Sequence, residues 1–391
     1  MRIEPLEKGA AGKNIVGNKI GLYLHIPFCI QKCRYCDFLS FPGEREERKA
    51  YVRALVQEMK MWRERLSGCE VDTIFLGGGT PSVLEPSEMS QVFEGIEKYF
   101  TLTEEMEFTV ECNPGTVSEE KFRLYREAGV NRLSFGMQSA RDKELKKLGR
   151  IHSFSEFVNS YRQAREFGFS NINVDIMSAI PGQSAASYEE TLEKVIALSP
   201  EHISSYSLII EEGTPFYEEY GENPPVDEET DRAMYERTGE MLAGAGYERY
   251  EISNYAREGK QCRHNLKYWR RGEYLGLGLG AASLWSHCRF SNERDFSGYL
   301  RQTEAGKLPV AEWETLTKAV EKSEFMYLGL RCMQGVSKAE FTRCFGEALE
   351  DCFGDALQKC LANGLLEQKG DWVCLTKRGI DVSNRVFAEF V

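Results

Sequence analysis

Between positions 21 and 210, six short apolar stretches each run into glycine or polar residues, and helical periodicity fills the intervals between them. The stretches fall at 21–26, 72–76, 107–111, 132–135, 171–177 and 202–210. Helices are expected over 46–66, 86–99, 118–128, 142–148, 155–167 and 187–198. In the first of these, Val52, Leu55, Met59, Trp62 and Leu66 step by three and four and form one apolar stripe. Strands alternating with helices at this spacing imply parallel βαβ units. The expected class is therefore α/β, an incomplete TIM-like (β/α)6 barrel. Barrels of this kind carry their chemistry at the carboxyl ends of the strands.

The residues at those ends are unusual. After the first strand come Cys29, Cys33 and Cys36, three cysteines within eight residues. Thiolates are the usual ligands of iron–sulfur clusters, and three of them leave one iron of a four-iron cluster open. A zinc site more often shows two separated ligand pairs, and a lone Cys-x-x-Cys can be a redox pair. The Cys-x3-Cys-x2-Cys spacing fits neither well. After the second strand comes Gly77-Gly78-Gly79-Thr80, where backbone can approach a ligand closely. Glu111 ends the third strand, Gln138 follows the fourth, and Asp175 lies near the end of the fifth. Each has an ordinary explanation: a turn, a surface carboxylate, or, for Arg150, a cation on a helix C-terminus. Their convergence on one rim is the informative fact.

At 391 residues the chain suits one large domain and a smaller one. A lead-in over 1–19 is expected to be flexible, followed by a core over 20–245. An aromatic and Gly-rich extension occupies 246–314, suited to a pocket wall or a sheet edge. Over 315–391, helices at 318–333, 337–345 and 348–363 precede a hairpin at 366–375, turning at Lys369-Gly370-Asp371. A last helix starts at Lys377, which gives a winged-helix shape. Seven Lys or Arg stand against nine Asp or Glu over 336–391, so packing or substrate closure is expected there rather than duplex binding. The net charge of -12 argues the same for the whole chain. Twelve cysteines without a signal peptide, and no apolar run of spanning length, point to a soluble cytoplasmic protein. Cys344, Cys352 and Cys360, eight residues apart, are expected to pack in the core.

The cysteine loop resembles that of the radical S-adenosylmethionine (SAM) superfamily, and the order of motifs is similar to its HemN/HemW branch. The carriers are Tyr23-Leu-His25-Ile-Pro-Phe-Cys29, Gly77-Gly-Gly-Thr-Pro-Ser82, Phe108-Thr-Val-Glu111-Cys-Asn-Pro114, Ser134-Phe-Gly-Met-Gln138-Ser139 and Asn173-Val-Asp175-Ile-Met. The resemblance implies a [4Fe–4S] cluster on Cys29, Cys33 and Cys36, with SAM chelating the open iron. It implies a SAM site lined by Tyr23, Tyr35, Gly78, Gly79, Thr80, Glu111, Gln138, Arg150 and Asp175, with backbone near Ile209 at the adenine. Arg150 would clamp a carboxylate.

Within the branch, the anaerobic coproporphyrinogen III dehydrogenases carry a fourth cysteine two residues past the third and a longer N-terminal arm. This chain has Phe38 at that position and 28 residues before Cys29. His264-Asn265-Leu266-Lys267-Tyr268-Trp269 instead resembles the His-Asn-x-x-Tyr-Trp motif of the branch's heme chaperones. A histidine can ligate heme iron and aromatics can stack on the macrocycle, which makes His264, Tyr268 and Trp269 the heme candidates. Read from the residues alone, the same segment is an aromatic core cluster around one hydrogen-bonded histidine. The expectation is a heme chaperone delivering heme to haem-dependent proteins such as respiratory enzymes at the membrane, with a possible homodimer and no nucleic-acid partner. The alternatives are the dehydrogenase itself, a methyltransferase or cyclopropanase binding two SAM, and a non-enzymatic scaffold built on the winged helix.

Overall fold

A computed structural model describes residues 19–391. The expected lead-in lies outside the described residues except for Lys19, which opens the first strand. Strands β1 (Lys19–Ile26), β2 (Glu70–Gly78), β3 (Leu102–Cys112), β4 (Arg132–Gln138), β5 (Ile172–Ser178) and β6 (His202–Ser207) pair in sequence order, all parallel. The crossovers are helices α1 (Arg45–Trp62), α2 (Pro86–Tyr99), α3 (Glu119–Glu127), the pair α4 (Asp142–Leu148) and α5 (Phe154–Glu166), and α6 (Ala185–Leu198). This is the partial radical-SAM barrel that the alternation implied. β6 stops at Ser207 rather than 210, because Leu208 leaves the ladder after one bond to Ser178.

The sheet is wider than six strands. Short strands β7 (Glu248–Arg249) and β8 (Asn254–Ala256) extend it antiparallel beyond β6. β9 (Tyr274–Leu277) pairs parallel with β1 on the other side, and β10 (Ala282–Trp285), β11 (Cys288–Asn292) and β12 (Val310–Thr315) continue from it antiparallel. Twelve strands result, with β12 and β7 at the open edges.

Successive residues on a strand face opposite sides. Leu22, Leu24, Ile74, Leu76, Phe108, Val110, Leu133, Phe135, Val174 and Ile176 point outward and are fully buried under the helices. The inward set is largely polar: Tyr23 and His25, Thr73, Glu107 and Glu111, Arg132 and Ser134, Asn173 and Asp175, His202 and Ser204. Such groups are tolerated in a core only when hydrogen-bonded, and most are. Asn173 donates to Ser134 at 2.8 Å and to Asp175 at 2.7 Å, and its Oδ1 meets His202 Nδ1 at 2.6 Å.

After β6 come α7 (Pro215–Tyr220), α8 (Glu228–Gly244), α9 (Arg263–Trp269) and α10 (Phe296–Glu304). The C-terminal layer holds α11 (Lys318–Gly329), α12 (Lys338–Phe345), α13 (Leu349–Ala362) and the hairpin Leu366–Lys369 with Trp372–Leu375, flanked by the short strand Val336–Ser337. Met326, Leu330, Phe341, Leu357, Val373 and Val386 form its separate core. It is fastened to the sheet by Arg271, which donates to Glu321 at 2.7 Å and to Glu324 at 2.8 Å. Among the three C-terminal cysteines expected to pack, Cys360 is buried, Cys352 is partly covered and Cys344 is exposed. Cys344 sits on the outer face of α12, one step past the apolar stripe. No described helix is long and apolar enough to cross a membrane.

Candidate functional site

Cys29, Cys33 and Cys36 lie on the loop leaving β1 at its carboxyl end, and all three are free thiols. Residues 28–29 pair with 41–42, so the loop returns on itself. β2 fixes its base. Gly79 donates to the Ile26 carbonyl and Thr80 to the Phe28 carbonyl, each at 2.8 Å. A Cβ on Gly79 would stand 2.7 Å from the Phe28 oxygen, and one on Gly78, whose φ is +110°, would stand 2.5 Å from the His25 ring. Only glycine allows this approach.

The three cysteines share one cavity of about 140 Å³ with Tyr35, Gly78, Gly79, Thr80, Glu111, Gln138, Arg150 and Asp175. Every residue expected at the SAM site except Tyr23 and Ile209 borders it. Tyr23 lines an adjoining cavity. Ile209 stands on the loop after β6 with its side chain 68% exposed, away from both.

Asn113, at the end of β3, ties the cavity together and escaped the sequence reading as a site residue. Its Nδ2 donates to Thr80 Oγ1 at 2.9 Å, and Thr80 donates to Cys29 Sγ at 3.6 Å. Its Oδ1 accepts from Arg150 Nη2 at 2.7 Å, and Arg150 Nη1 reaches Cys33 Sγ at 3.6 Å. The same Nη2 donates to the Gly136 carbonyl at 2.6 Å. A continuous run of hydrogen bonds thus joins two of the three thiols. The signal in the sequence was Asn113 directly after Glu111-Cys112, but its partners come from three other segments.

The acidic groups are held unusually. Glu111 accepts from the Gly78 amide at 3.3 Å. Burial, then the nearby Asp175 carboxylate, push its pKa up to about 8. Burial also raises Asp175. Gln138 has φ +67° at a bulge where the β4–β5 register slips. Its Oε1 is buried without a partner, an acceptor left open toward the cavity. His25 Nε2 lies 2.8 Å from the Leu39 carbonyl, which can only accept. Nε2 therefore carries the proton, and Nδ1 accepts the Tyr23 hydroxyl at 3.0 Å.

These residues suit a cluster and a bound cofactor. Among the described residues no three Cys, His, Asp or Glu side chains converge tightly enough for a single metal ion. A cubane makes a different demand, since its thiolates bind separate irons, and three free thiols around one cavity meet it. Gln138 Oε1 and the Glu111 and Asp175 carboxyls supply acceptors for hydroxyl or ammonium donors.

The His264 segment sits elsewhere. It forms α9, beneath the amino ends of the strands. Glu107 accepts from the Arg263 and His264 amides, each at 3.0 Å, and so holds the helix start. His264 is 1% exposed. Its Nδ1 meets Thr73 Oγ1 at 2.9 Å and its Nε2 meets the Tyr268 hydroxyl at 2.8 Å. Burial, then the Lys267 charge, lower its pKa to about 3. Phe75 stacks on the ring at 5.4 Å, and Tyr23 stacks on Phe75 at 6.4 Å. Trp269 is capped by Arg331 at 4.5 Å. The three heme candidates are together, but at the opposite end of the barrel from the cysteines.

Comparison with known proteins gives a consistent picture. Residues 23–195 match the model of the Radical SAM superfamily, and residues 316–382 match the HemN C-terminal domain. The chain is 36% identical over 374 residues to the heme chaperone HemW of Bacillus subtilis (strain 168), covering 94% of this chain and 98% of that one. It is 36% identical over 369 residues to the HemW of Escherichia coli (strain K12), covering 92% and 95%. Among solved structures, coproporphyrinogen III oxidase (HemN) from Escherichia coli superposes with a TM-score of 0.85 at 21% identity, over 96% of this chain and 90% of that one. That likeness concerns the fold.

Proposed function

The chain belongs to the HemW family of radical-SAM proteins, and on that premise we propose that it is a heme chaperone. In this reading it holds a [4Fe–4S] cluster on Cys29, Cys33 and Cys36, binds SAM in the adjoining cavity, and carries heme to a haem-dependent apo-protein. The recipient would be a respiratory enzyme at the membrane, which the chain would meet from the cytoplasm, as a monomer or homodimer.

A cluster with SAM on its open iron supplies reductive chemistry at a sulfonium when bound. The chain's own residues supply position. The Gly77–Thr80 backbone lets the cofactor approach β2, and Glu111, Asp175 and Gln138 offer acceptors to the ribose hydroxyls and the methionine ammonium. Arg150, fixed by Asn113 and Gly136, keeps a positive charge beside Cys33. Fixed donors of this kind cost no reorganisation when the cofactor binds. His264, Tyr268 and Trp269 would reach heme only if α9 left its seat.

The observation that carries the chaperone reading over porphyrinogen oxidation is Phe38. It occupies the position of the dehydrogenases' fourth cysteine and projects 63% exposed beside the cavity. The test is to reconstitute the cluster anaerobically and supply SAM, a reductant and coproporphyrinogen III. The chaperone reading expects no protoporphyrinogen and stoichiometric binding of added heme. Turnover of the porphyrinogen would overturn it.

A further inference from the structure

Beside the cofactor cavity lies a second one, of about 370 Å³, that no part of the proposed cofactor chemistry uses. Its size is within the range of small-molecule sites. The two cavities share Phe38, Gly78 and Glu111, so a ligand in one borders a ligand in the other. One wall is the turn Gly280-Ala281-Ala282, between β9 and β10. Gly280, at φ +65°, packs so close to Leu39 that a Cβ would stand 2.5 Å from its Cδ2. The wall is therefore flat and low. Phe38 forms the facing rim, its ring largely in solvent although large apolar side chains are usually covered.

The cavity has one cation. Arg294 follows β11, and its Cγ lies 3.6 Å from where a Gly280 Cβ would be. Among the described residues it makes no ion pair, and Glu293 beside it is engaged with the Arg294 and Asp295 amides at 3.0 and 3.1 Å. Most arginines near the cysteine loop are occupied: Arg34 pairs with Glu219 at 2.5 Å, and Arg150 is committed as described. Asp37, exposed on the same rim, is the one competing carboxylate besides Glu111.

A flat wall of small residues, an exposed aromatic opposite it, and an unpaired guanidinium at one end fit a planar apolar ligand that bears a carboxylate. We propose that the cargo tetrapyrrole seats in this cavity, with Arg294 holding a propionate and Phe38 lying against the macrocycle face. This rests on the heme-chaperone reading and deepens it. It places the cargo at the carboxyl rim, next to the cofactor, rather than at α9.

The test titrates the full-length, cluster-loaded protein with ferric heme and with heme dimethyl ester, in which both propionates are blocked. Wild type is compared with Arg294→Glu, Arg294→Lys and Phe38→Ala. Cluster absorbance and SAM affinity serve as controls, and Arg294→Glu should retain both because it touches neither. Losing a charged hydrogen bond should weaken heme binding in Arg294→Glu on the order of tenfold, while Arg294→Lys keeps most of the affinity. The ester should bind wild type about as weakly as heme binds Arg294→Glu, and the charge reversal should not weaken the ester further. Phe38→Ala should weaken both ligands. If Arg294→Glu binds heme like wild type, or discriminates heme from its ester equally well, the cavity assignment is wrong and the chaperone reading stands. If wild type binds no heme, the chaperone reading fails and takes the assignment with it.

Discussion

His264 Nδ1 lies 2.9 Å from the Thr73 hydroxyl, inside the barrel, and its other ring nitrogen is bonded to Tyr268. The residue whose surrounding motif most suggested heme ligation thus serves, in this conformation, as a keystone between α9 and β2. His264→Phe keeps the ring volume but strands two hydroxyls. It should cost about 1–3 kcal/mol at pH 7 in urea unfolding.

The same histidine carries a pH signature. Its pKa in the fold is about 3, below the usual value of about 6.5 for the unfolded chain. Between these values the unfolded state binds more protons, so stability falls as pH drops from about 6.5 toward 3. His202, also lowered by burial, adds to this slope. Above pH 6.5 neither contributes any slope. Unfolding curves from pH 7 to 4 should be shallower for His264→Phe than for wild type.

Glu111 works in the other direction. Its pKa of about 8 lies above the unfolded value, so its contribution is full below about pH 4.5 and is lost as pH rises through 8. Glu111→Gln cannot ionise and should flatten the decline in stability between pH 5 and 8.5. The same variant should bind SAM more weakly, since it no longer offers a carboxylate to the cofactor. Equal slopes in the two proteins would show that Glu111 ionises normally.

Asn113 joins Thr80 and Arg150, and through them Cys29 and Cys33. Asn113→Ala should leave the fold intact but free the Arg150 guanidinium, a loss of about 1.5–3 kcal/mol for hydrogen bonds to a charged group. The readout is cluster absorbance during exposure to a chelator. Bleaching should be faster than in wild type, whereas Cys344→Ser, on the exposed face of α12, should bleach at the wild-type rate.

Arg271 fastens the C-terminal layer to the barrel through two buried carboxylates, Glu321 and Glu324, and Arg289 also reaches Glu324. Arg271→Met leaves Glu321 with only the exposed His287. Breaking one partner of a buried pair costs about 3–5 kcal/mol. Limited proteolysis should then cut first near residues 315–318, at the junction between layers.

The barrel was readable because each βα unit repeats the same signal: an outward apolar face on the strand and a stripe on the helix. The cysteine loop and the glycine run were readable because their chemistry is local. The polar interior was harder to see. Strands buried on both faces lose the clean alternation that separates core from solvent, so Thr73, Glu107, Arg132 and Asn173 did not announce that they point inward. β9 to β12 are short and rich in Gly, Ser and aromatics, and their ladder depends on β1 being beside them. Asn113 gains its role only when three distant segments meet. The His264 motif was visible, but whether its histidine faced solvent or core depended on Thr73, 191 positions away.

The central claim is that this chain holds heme and gives it up. The most direct measurement loads the reconstituted protein with heme, mixes it with a heme-free acceptor hemoprotein, and follows the acceptor's absorbance with and without SAM. The account predicts that the acceptor gains heme as the chain loses it, and that Cys29→Ser, Cys33→Ser or Cys36→Ser abolishes cluster loading. Heme that stays on the chain while coproporphyrinogen III is consumed would contradict it.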